Sequence, residues 1–366
     1  MMLTAITTAK RRIDYRQVPT PPPAAGRALI RVQHVALCGT DAHIWDDDYP
    51  ADLPVIQGHE FVGLIEQIEP GLVDARDGVP LVPGLPVAVS PMVYCNTCPP
   101  CLAGRFNICE SISCLGCYED GALAEILSAP VSKLHPLPLG LPRYLGALGE
   151  PGSIAMQAVN RGRPQAGETA LVLGCGPIGL LATLFLTERG VRVIASDLSE
   201  SRMALAEECG AVATFAPGTG GQLGDLWGAA TGPTLIIEAT GVPASFETAV
   251  SVAAPTARLV QVGISGRQAL LSLRDLPFKE LDILGSRNSL NLIPEALEVL
   301  ARHQDVAARL VTHRFPFDSL SAAFETMLDS GQSVGKIVID LPATAVTGLA
   351  AAHQETPLGQ ESSNVS

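Results

Sequence analysis

The chain has 366 residues, a net charge of −13 and a composition that is 47% hydrophobic and 17% charged. This length allows two domains, each able to bury its own core. The acidic balance argues against a nucleic-acid or anionic-membrane partner, because either would need clustered Lys and Arg, and it favours a small-molecule substrate.

The amino-terminal segment MMLTAITTAKRRIDY lacks the apolar core of a signal peptide. No stretch of the sequence reaches the roughly eighteen apolar residues of a membrane span. We therefore expect a cytoplasmic protein. In that reducing compartment, nine cysteines, an odd number, favour metal binding or chemistry over disulfides.

From Ala28 to about Val131, short apolar runs are cut by Gly and Pro, as in ALIRVQHVAL and LPVAVSPMV. This pattern is typical of an irregular all-β domain.

Six of the nine cysteines fall in the stretch YCNTCPPCLAGRFNICESISCLGC. Two-residue gaps allow thiolates from one loop to converge on a tetrahedral ion, and four sulfurs leave no open position, so the spacing predicts a structural zinc. An iron–sulfur cluster is the alternative, but only one such set is present and no Cys-Pro follows its last cysteine. The spacing C-x2-C-x2-C-x7-C is formed by Cys95, Cys98, Cys101 and Cys109.

The other two cysteines of this stretch, Cys114 and Cys117, also have C-x2-C spacing. They lie in SISCLGCYEDG, which is interpreted as a strand entering a Gly turn. Alternation along a strand would keep the two side chains apart, so we expect both to be buried structural residues.

From about Gly167 to Ser286, strand-like runs alternate with helical ones, which predicts βαβ units and a parallel sheet. The segment LVLGCGPIGLL has G-x-G-x-x-G spacing between a strand and a helix, where the pyrophosphate of a dinucleotide binds. The alternative is a Gly-rich turn in an α/β domain that binds no nucleotide. The predicted cofactor-binding residues here are Gly174, Gly176, Pro177, Ile178 and Gly179.

Asp197 ends the next strand, VRVIASD, eighteen residues beyond Gly179. A carboxylate at this position accepts the ribose hydroxyls of adenosine and repels a 2′-phosphate, so NAD is favoured over NADP. Arg202 is included among the predicted cofactor-binding residues because it lies nearby and would soften this preference. A solvated helix charge is the other interpretation of Arg202.

After Leu290 the sequence predicts the helix IPEALEVLARH, the strand LVTHRFPF, the helix LSAAFETMLDSG and the strand KIVIDL. Residues 342–366 are rich in Ala, Thr, Ser and Gln, and we expect them to form a mobile tail.

Three further motifs complete the pattern: CGTDAH with Cys38, GHEFVG with His59 and Glu60, and LGEPGS with Glu150. In order and spacing, and together with the nucleotide motif and the four-cysteine loop, they resemble the zinc-dependent medium-chain alcohol and polyol dehydrogenases. The resemblance runs from about residue 3 to residue 341. It implies an α/β protein with a GroES-like, irregular β-barrel catalytic domain and a Rossmann domain built on a doubly wound parallel sheet.

The implied catalytic domain covers residues 1–151 and 288–341, and the implied NAD-binding domain covers residues 152–287. Ligands would bind in the cleft between them. Relatives are dimers or tetramers, so a homodimer or homotetramer is expected. We expect the edge of the parallel sheet, around LVQVGISG, to pair across subunits.

The resemblance also implies a catalytic zinc held by Cys38 and His59, with Glu60 and Glu150 sharing the remaining protein position. One coordination position then stays open for substrate. Together with the structural zinc, this predicts two zinc ions per subunit. Thr40 would take the alcohol proton.

His43 would relay that proton towards solvent, and a loop histidine is its alternative interpretation. The acidic run at residues 46–52 is interpreted as a solvated loop. Trp45, beside that run, is expected to line the substrate pocket.

Glu150 and the four-cysteine loop look like the polyol and sugar-acid branch of the family. The segments KELDILGSRNSLN and THRFPF resemble bacterial dehydrogenases that act on L-galactonate, L-gulonate or L-idonate. In that interpretation Arg287 or Asn288 lies near the nicotinamide, where Arg would hold a carboxylate through two hydrogen bonds. An internal salt bridge is the alternative for Arg287.

The expected reaction is the oxidation of a secondary alcohol of a polyol or sugar acid to a ketone, with hydride transfer to NAD. A threonine or short-chain diol dehydrogenase of the same family is the nearest alternative. A zinc-stabilised nucleotide-binding protein without turnover is the alternative from another class, and it would hold about one zinc per chain.

Overall fold

A computed structural model of the chain describes residues 1–218, 226–227, 231–329 and 331–342. Apart from its first residue, the tail predicted at 342–366 lies outside the described residues. None of the helices in the described part of the chain combines the length and the apolarity needed to cross a membrane.

The described strands are numbered in chain order. They are β1 Met2–Ala9, β2 Arg12–Val18, β3 Arg27–Ala36, β4 Glu60–Gln67, β5 Pro86–Val89, β6 Met92–Val93, β7 Ser113–Cys114, β8 Ile126–Pro130, β9 Leu134–Pro136, β10 Thr169–Leu173, β11 Arg192–Ser196, β12 Ala213–Phe215, β13 Leu235–Glu238, β14 Arg258–Gln261, β15 Asp282–Gly285, β16 Val311–Pro316 and β17 Lys336–Asp340.

The α-helices of the described residues are cited by their bounds. They are Gly39–Trp45, Pro99–Leu102, Arg143–Gly146, Gly149–Gly162, Pro177–Glu188, Glu200–Glu208, Pro243–Val252, Asp275–Lys279, Ile293–Arg302, Gln304–Leu310 and Leu320–Leu328. Short 3-10 turns span Phe106–Ile108, Val131–Lys133 and Phe317–Ser319.

Six strands form a parallel sheet in the order β12-β11-β10-β13-β14-β15. This is the doubly wound order in which the first strand of the unit lies at the centre and the chain reverses direction beside it. The central strands are continuous apolar runs because helices cover both faces of the sheet. The predicted α/β class with a doubly wound parallel sheet is therefore confirmed.

The expectation that LVQVGISG forms a sheet edge is wrong. Its strand, β14, is paired on one side with β13 and on the other with β15, so its backbone groups are already used within the sheet. The edge strand on this side is β15, whose Ile283 is 39% exposed.

A second, largely antiparallel sheet has the order β16-β17-β3-β4-β5-β9, with β8 also paired to β3. Its strands come from both ends of the chain, because β16 and β17 return after the parallel sheet is complete. The apolar side chains of these strands form a core that is separate from the one around the parallel sheet. Short strands cut by turns agree with the irregular β-rich domain predicted from Ala28 to about Val131.

His135 lies on β9 opposite Ala88 of β5, and its side chain is buried. Burial lowers the pKa of His135 to about 4, although the nearby Asp74 carboxylate opposes the shift. The native protein therefore excludes a proton that the unfolded chain binds below its ordinary pKa of 6.5. This part of the stability is present above pH 6.5 and is lost as the pH falls towards 4.

We predict that His135→Leu will flatten the loss of stability between pH 7 and pH 5. The full effect at low pH is up to about 3 kcal/mol of the free energy of unfolding, since one pKa unit corresponds to about 1.4 kcal/mol. Urea unfolding at both pH values measures the difference. Leu134→Ala is the matched control and should lose the same free energy at each pH, while an unchanged pH slope in His135→Leu would contradict the prediction.

Candidate active site and metal centres

Three side chains with metal-binding atoms converge where β3 and β4 pair. Ala36 of β3 lies opposite Glu60 of β4, so Cys38, just beyond β3, is brought next to His59 and Glu60 at the start of β4. The ligand atoms of these three residues all lie within 4.8 Å of one another. His59 and Glu60 are buried and Cys38 is half-buried.

This donor set fits a catalytic zinc, because a thiolate, an imidazole and a carboxylate hold the ion and leave one tetrahedral position for substrate. The Nδ1 atom of His59 already has two neighbours, the Oδ1 atom of Asp41 and the Sγ atom of Cys117, each at 3.6 Å. The Nε2 atom is therefore the one left for a metal. Asp41 also accepts hydrogen bonds from the backbone N–H groups of Cys38, at 2.9 Å, and Gly58, at 3.3 Å, so it ties the two ligand segments together.

Negative charge surrounds His59. Burial alone would lower the pKa of its imidazole, but the charges of Asp41 and Cys38 outweigh burial and raise that pKa well above its ordinary value. A site with this surplus of negative charge favours a bound cation.

Glu150 lies beside the cluster, at the start of the helix Gly149–Gly162. It is not one of the three residues whose ligand atoms share the 4.8 Å limit. Burial raises the pKa of Glu150 to about 8, and the neighbouring Glu60 carboxylate adds to the shift. Glu60 is therefore the carboxylate whose oxygen lies within 4.8 Å of both the thiolate and the imidazole.

Lys336, which the sequence motifs did not identify, forms an ion pair with Glu60. Its Nζ atom lies 2.7 Å from one carboxylate oxygen and 2.5 Å from the other, and both side chains are almost fully buried. Burial alone would lower the pKa of Lys336, but the charges of Glu60 and Cys38 raise it. The sequence does contain one signal for this ion pair. Lys336 is the first residue of the apolar strand KIVIDL, and a buried charge in such a run needs a partner.

The residues predicted to move the proton lie on the helix Gly39–Trp45, which begins directly after Cys38. Thr40 is half-buried. His43 is exposed, and its Nδ1 atom lies 2.8 Å from a carboxylate oxygen of Asp48. One member of the acidic run is therefore bonded to the histidine, although both side chains face solvent.

The prediction that Trp45 lines a substrate pocket is wrong. Its side chain is only 2% exposed, and its ring stacks on Phe324 with 5.1 Å between centroids. The helix turns Trp45 inward, to the core of the β-rich sheet, while the polar residues that follow it face water.

The four cysteines of the predicted structural site come together in one loop, and their sulfurs all lie within 4.8 Å of one another. Backbone N–H groups of Thr97 and Cys98 point at the sulfur of Cys95, at 3.5 and 3.3 Å. A closed set of four sulfurs fits a tetrahedral zinc that no substrate reaches.

The loop is also attached to the chain returning from the parallel sheet. The side-chain amide of Asn107 donates to the carbonyl of Arg287 at 2.8 Å, and that of Asn288 donates to the carbonyl of Asn107 at 2.9 Å. The Asn288 amide is therefore engaged within the protein, whereas Arg287 is exposed. Of the two predicted substrate residues, Arg287 is the one with a free approach from solvent.

Cys114 and Cys117 lie outside the four-cysteine group, as predicted, but the expectation that they are kept apart is wrong. Strand β7 ends at Cys114, and a turn then brings the Cys117 N–H to the Cys114 carbonyl at 3.2 Å. A hydrogen bond from the Cys114 thiol lowers the pKa of Cys117 to about 6. Both thiols are buried.

The Gly-rich motif forms the turn between β10 and the helix Pro177–Glu188. A Cβ atom at Gly179 would lie 1.8 Å from the carbonyl oxygen of Gly174, so only glycine allows the helix to start this close to the strand. Asp197 follows β11 and accepts hydrogen bonds from the backbone N–H groups of Cys175, at 2.7 Å, and Ser199, at 2.9 Å. The carboxylate is therefore held against the loop that would receive the dinucleotide.

Gly176 precedes the first turn of that helix, and Pro177 and Ile178 follow it; all three are half-buried. Arg202 points elsewhere: its guanidinium donates to the carbonyl of Val334 at 3.2 and 3.3 Å. That bond links the helix Glu200–Glu208 to the segment before β17. A role of Arg202 in cofactor binding stays a prediction.

A cavity of about 240 Å³ lies at the carboxyl ends of β13 and β14, where doubly wound sheets bind their ligands. Its walls include Gly241, Pro243 and Phe246. Buried Glu238 accepts hydrogen bonds from the N–H of Gly241 and from the side chain of Gln261, which fixes the loop at this edge.

We predict that Lys336→Met will destabilise the metal-free protein by roughly 3–5 kcal/mol, because it leaves the Glu60 carboxylate buried without its counter-charge. Urea unfolding in the presence of a chelator measures the loss. The double variant Lys336→Met/Glu60→Gln is the matched control and should recover most of the lost free energy. Equal losses in the single and double variants would show that the ion pair is not the cause.

Comparisons with known proteins agree with this geometry. The family model for the alcohol dehydrogenase GroES-like domain matches residues 24–139, and the model for zinc-binding dehydrogenases matches residues 177–302. The L-galactonate-5-dehydrogenase of Escherichia coli K12 is 32% identical over 346 residues, which are 92% of this chain and 98% of that protein.

Two solved structures share the fold over 93% of this chain and 99% of their own. RspB from Escherichia coli CFT073, described as a short chain alcohol dehydrogenase in complex with NADH, has a TM-score of 0.83 and 29% identity. A zinc-binding dehydrogenase from Sinorhizobium meliloti 1021 bound to NADP has a TM-score of 0.84 and 28% identity. With both family models matched and the relatives aligned over nearly its whole length, the chain belongs to the zinc-dependent medium-chain alcohol and polyol dehydrogenase family.

Proposed function

We propose that the protein oxidises a secondary alcohol of a polyol or sugar acid to a ketone, with a catalytic zinc and with NAD as the hydride acceptor. The observation that carries the proposal is the convergence of the Cys38, His59 and Glu60 ligand atoms within 4.8 Å. A thiolate, an imidazole and a carboxylate leave a coordination position open, as catalytic zinc sites require.

Zinc, when bound, supplies a Lewis acid that makes the substrate hydroxyl more acidic, and NAD supplies the carbon that accepts hydride. Lys336 holds Glu60 through its ion pair, and Asp41 keeps the two ligand segments together. Thr40, two residues after Cys38 at the start of the helix, would accept the hydroxyl proton.

His43 would then pass that proton to solvent. Its exposed imidazole is held by Asp48, and an exposed imidazole beside a carboxylate suits proton exchange with water. Release of the proton to solvent and of hydride to the nicotinamide completes the balance of the oxidation.

The sugar-acid class is supported by the 32% identity to L-galactonate-5-dehydrogenase and by the exposed guanidinium of Arg287. A guanidinium near the substrate would bind a carboxylate through two parallel hydrogen bonds.

The choice of NAD is supported by Asp197, which follows β11. Its carboxylate would accept hydrogen bonds from the ribose hydroxyls and repel a 2′-phosphate.

We further propose two zinc ions per subunit, one held by the three-residue cluster beside Glu150 and one held by the four-cysteine loop. The division into residues 1–151 with 288–341 and residues 152–287 stays a prediction, supported by the two separate sheets. A homodimer or homotetramer also stays a prediction.

We predict about two zinc ions per chain in purified protein, and about one in each of two variants. Cys38→Ala should lose the catalytic ion and at least 100-fold in turnover while its melting temperature stays near that of the parent. Cys98→Ala should lose the structural ion and roughly 5–10 °C of melting temperature. Elemental analysis with calorimetry checks both, and a single zinc in the parent that survives Cys38→Ala would contradict a catalytic zinc.

We predict that a panel of hexonates, polyols, threonine and short diols will reduce NAD fastest with a hexonate or polyol. Turnover with threonine or a diol alone would favour the alternative activity, and no turnover with zinc bound would favour a non-catalytic protein.

We predict that Asp197→Ala will raise the KM for NAD by roughly 10–100-fold, because the hydrogen bonds between the ribose hydroxyls and a charged group are lost. The KM for NADP should be less affected. An equal rise in the KM for NADP would exclude the assigned role of Asp197.

We also predict that Arg287→Ala will slow the oxidation of sugar acids. Unchanged sugar-acid oxidation in this variant would exclude the assigned role of Arg287.

A further inference from the structure

The cysteine pair Cys114 and Cys117 is held by the backbone in a geometry that suits a disulfide. The Cys117 N–H donates to the Cys114 carbonyl at 3.2 Å, which closes a turn. The first and fourth Cα atoms of such a turn lie within about 7 Å of each other. Most disulfides join Cα atoms about 4.4–6.8 Å apart, so the turn supplies this separation without a backbone rearrangement.

The same turn is packed against the residue that precedes His59. Gly116 has φ +84°, and a Cβ atom there would lie 2.5 Å from the carbonyl carbon of Gly58. The Ala122 N–H donates to the carbonyl oxygen of Gly58 at 2.8 Å, so the chain that follows the turn is also fixed to this residue. The cysteine pair therefore keeps a fixed position relative to His59.

Cys117 is one of two groups that contact Nδ1 of His59 among the described residues. The distance from Sγ to Nδ1 is 3.6 Å, which is within range for a hydrogen bond to sulfur. The Oδ1 atom of Asp41 also lies 3.6 Å from Nδ1, as the ion-pair partner of the imidazole. The sulfur of Cys117 and the carboxylate of Asp41 therefore both flank the Nδ1 side of the imidazole, and the sulfur is one of the two groups that orient it.

Both thiols are free, and neither belongs to a metal-binding group of the described residues. Cys114 is 5% exposed and Cys117 is 4% exposed, but Tyr118, the next residue in the chain, is 45% exposed. The buried pair is therefore followed directly along the chain by a residue that reaches solvent. An oxidant that reaches these two sulfurs must be small, and a peroxide meets this requirement.

We propose that Cys114 and Cys117 form an oxidisable dithiol, which a peroxide closes to a disulfide and which then weakens the hold of His59 on the active-site metal. One sulfur attacks a peroxide oxygen, the O–O bond breaks, and a sulfenic acid and one water form. The second sulfur attacks the first, the S–S bond forms, and its proton leaves with the departing hydroxide as a second water. The peroxide gains the two electrons that the dithiol loses, and a reducing dithiol such as dithiothreitol returns them.

The disulfide changes the hydrogen-bond acceptor that Cys117 offers to Nδ1 of His59. A thiol or thiolate sulfur accepts a hydrogen bond from that nitrogen, whereas a disulfide sulfur is a poorer acceptor and its position is set by the S–S bond. Loss of the partner that orients a metal-bound His typically lowers metal affinity 10–100-fold. This consequence rests on the proposed zinc site, whereas formation of the disulfide does not.

The first measurement locates the disulfide in the full-length, zinc-loaded protein. Reduced protein is treated with hydrogen peroxide, alkylated and cleaved after Glu110 and Glu119, which isolates residues 111–119 with Cys114 and Cys117 as their only cysteines. Mass spectrometry should find this peptide as an internal disulfide that dithiothreitol reopens. Recovery of the peptide with both thiols alkylated, or joined to another cysteine, would overturn the proposal.

The second measurement follows zinc transfer to a chromogenic chelator before and after peroxide. Wild-type protein should release its active-site zinc at least about 10-fold faster after oxidation. Cys114→Ser keeps the sulfur beside His59 but has no partner for it, so peroxide should not accelerate release from that site. Cys38→Ala gives the release that belongs to the four-cysteine loop alone.

The outcomes of these measurements separate the two proposals. Unchanged zinc release from a protein shown to carry the disulfide would overturn the link to His59. Neither measurement uses a substrate, so a substrate panel without turnover would count against the proposed function and leave the dithiol standing.

Discussion

The antiparallel pairing of β3 with β4 is the constraint on which the site depends. It sets Ala36 opposite Glu60, and so it brings the residues just after one strand to those at the start of the other. Asp41 strengthens the junction by accepting backbone N–H groups from both segments. A one-residue slip in this register would turn Glu60 to the other face of the sheet and remove the carboxylate from the cluster.

The cluster itself gathers negative charge in a buried place, which is costly unless a cation is present. The protein supplies one cation of its own, Lys336, from a strand at the other end of the chain. The ion pair stabilises Glu60 before any metal binds, and Glu150 is left as a carboxyl group with a raised pKa beside it. The electrostatic cost of the buried charge therefore falls at the place where the proposed chemistry needs charged groups.

The sequence was most informative where the chemistry depends on neighbours along the chain. The four-cysteine loop and the G-x-G-x-x-G turn are local motifs, and the α/β class follows from alternating runs of apolar residues. Lys336 was missed because its contact with Glu60 joins positions 276 residues apart, and no local pattern encodes it. The order of strands in the sheet is likewise non-local, which is why the edge was placed at β14. Trp45 and the Cys114–Cys117 turn were misjudged because the direction of a side chain at the end of a helix or strand depends on packing.

The contact of Asn107 with residues 287 and 288 gives the four-cysteine loop a meaning beyond local stiffness. These two residues lie just after β15, where the chain leaves the parallel sheet to rejoin the β-rich part. The two amide hydrogen bonds attach the loop to that connection. The fold of the four-cysteine loop therefore also fixes the path of the chain between the two sheets.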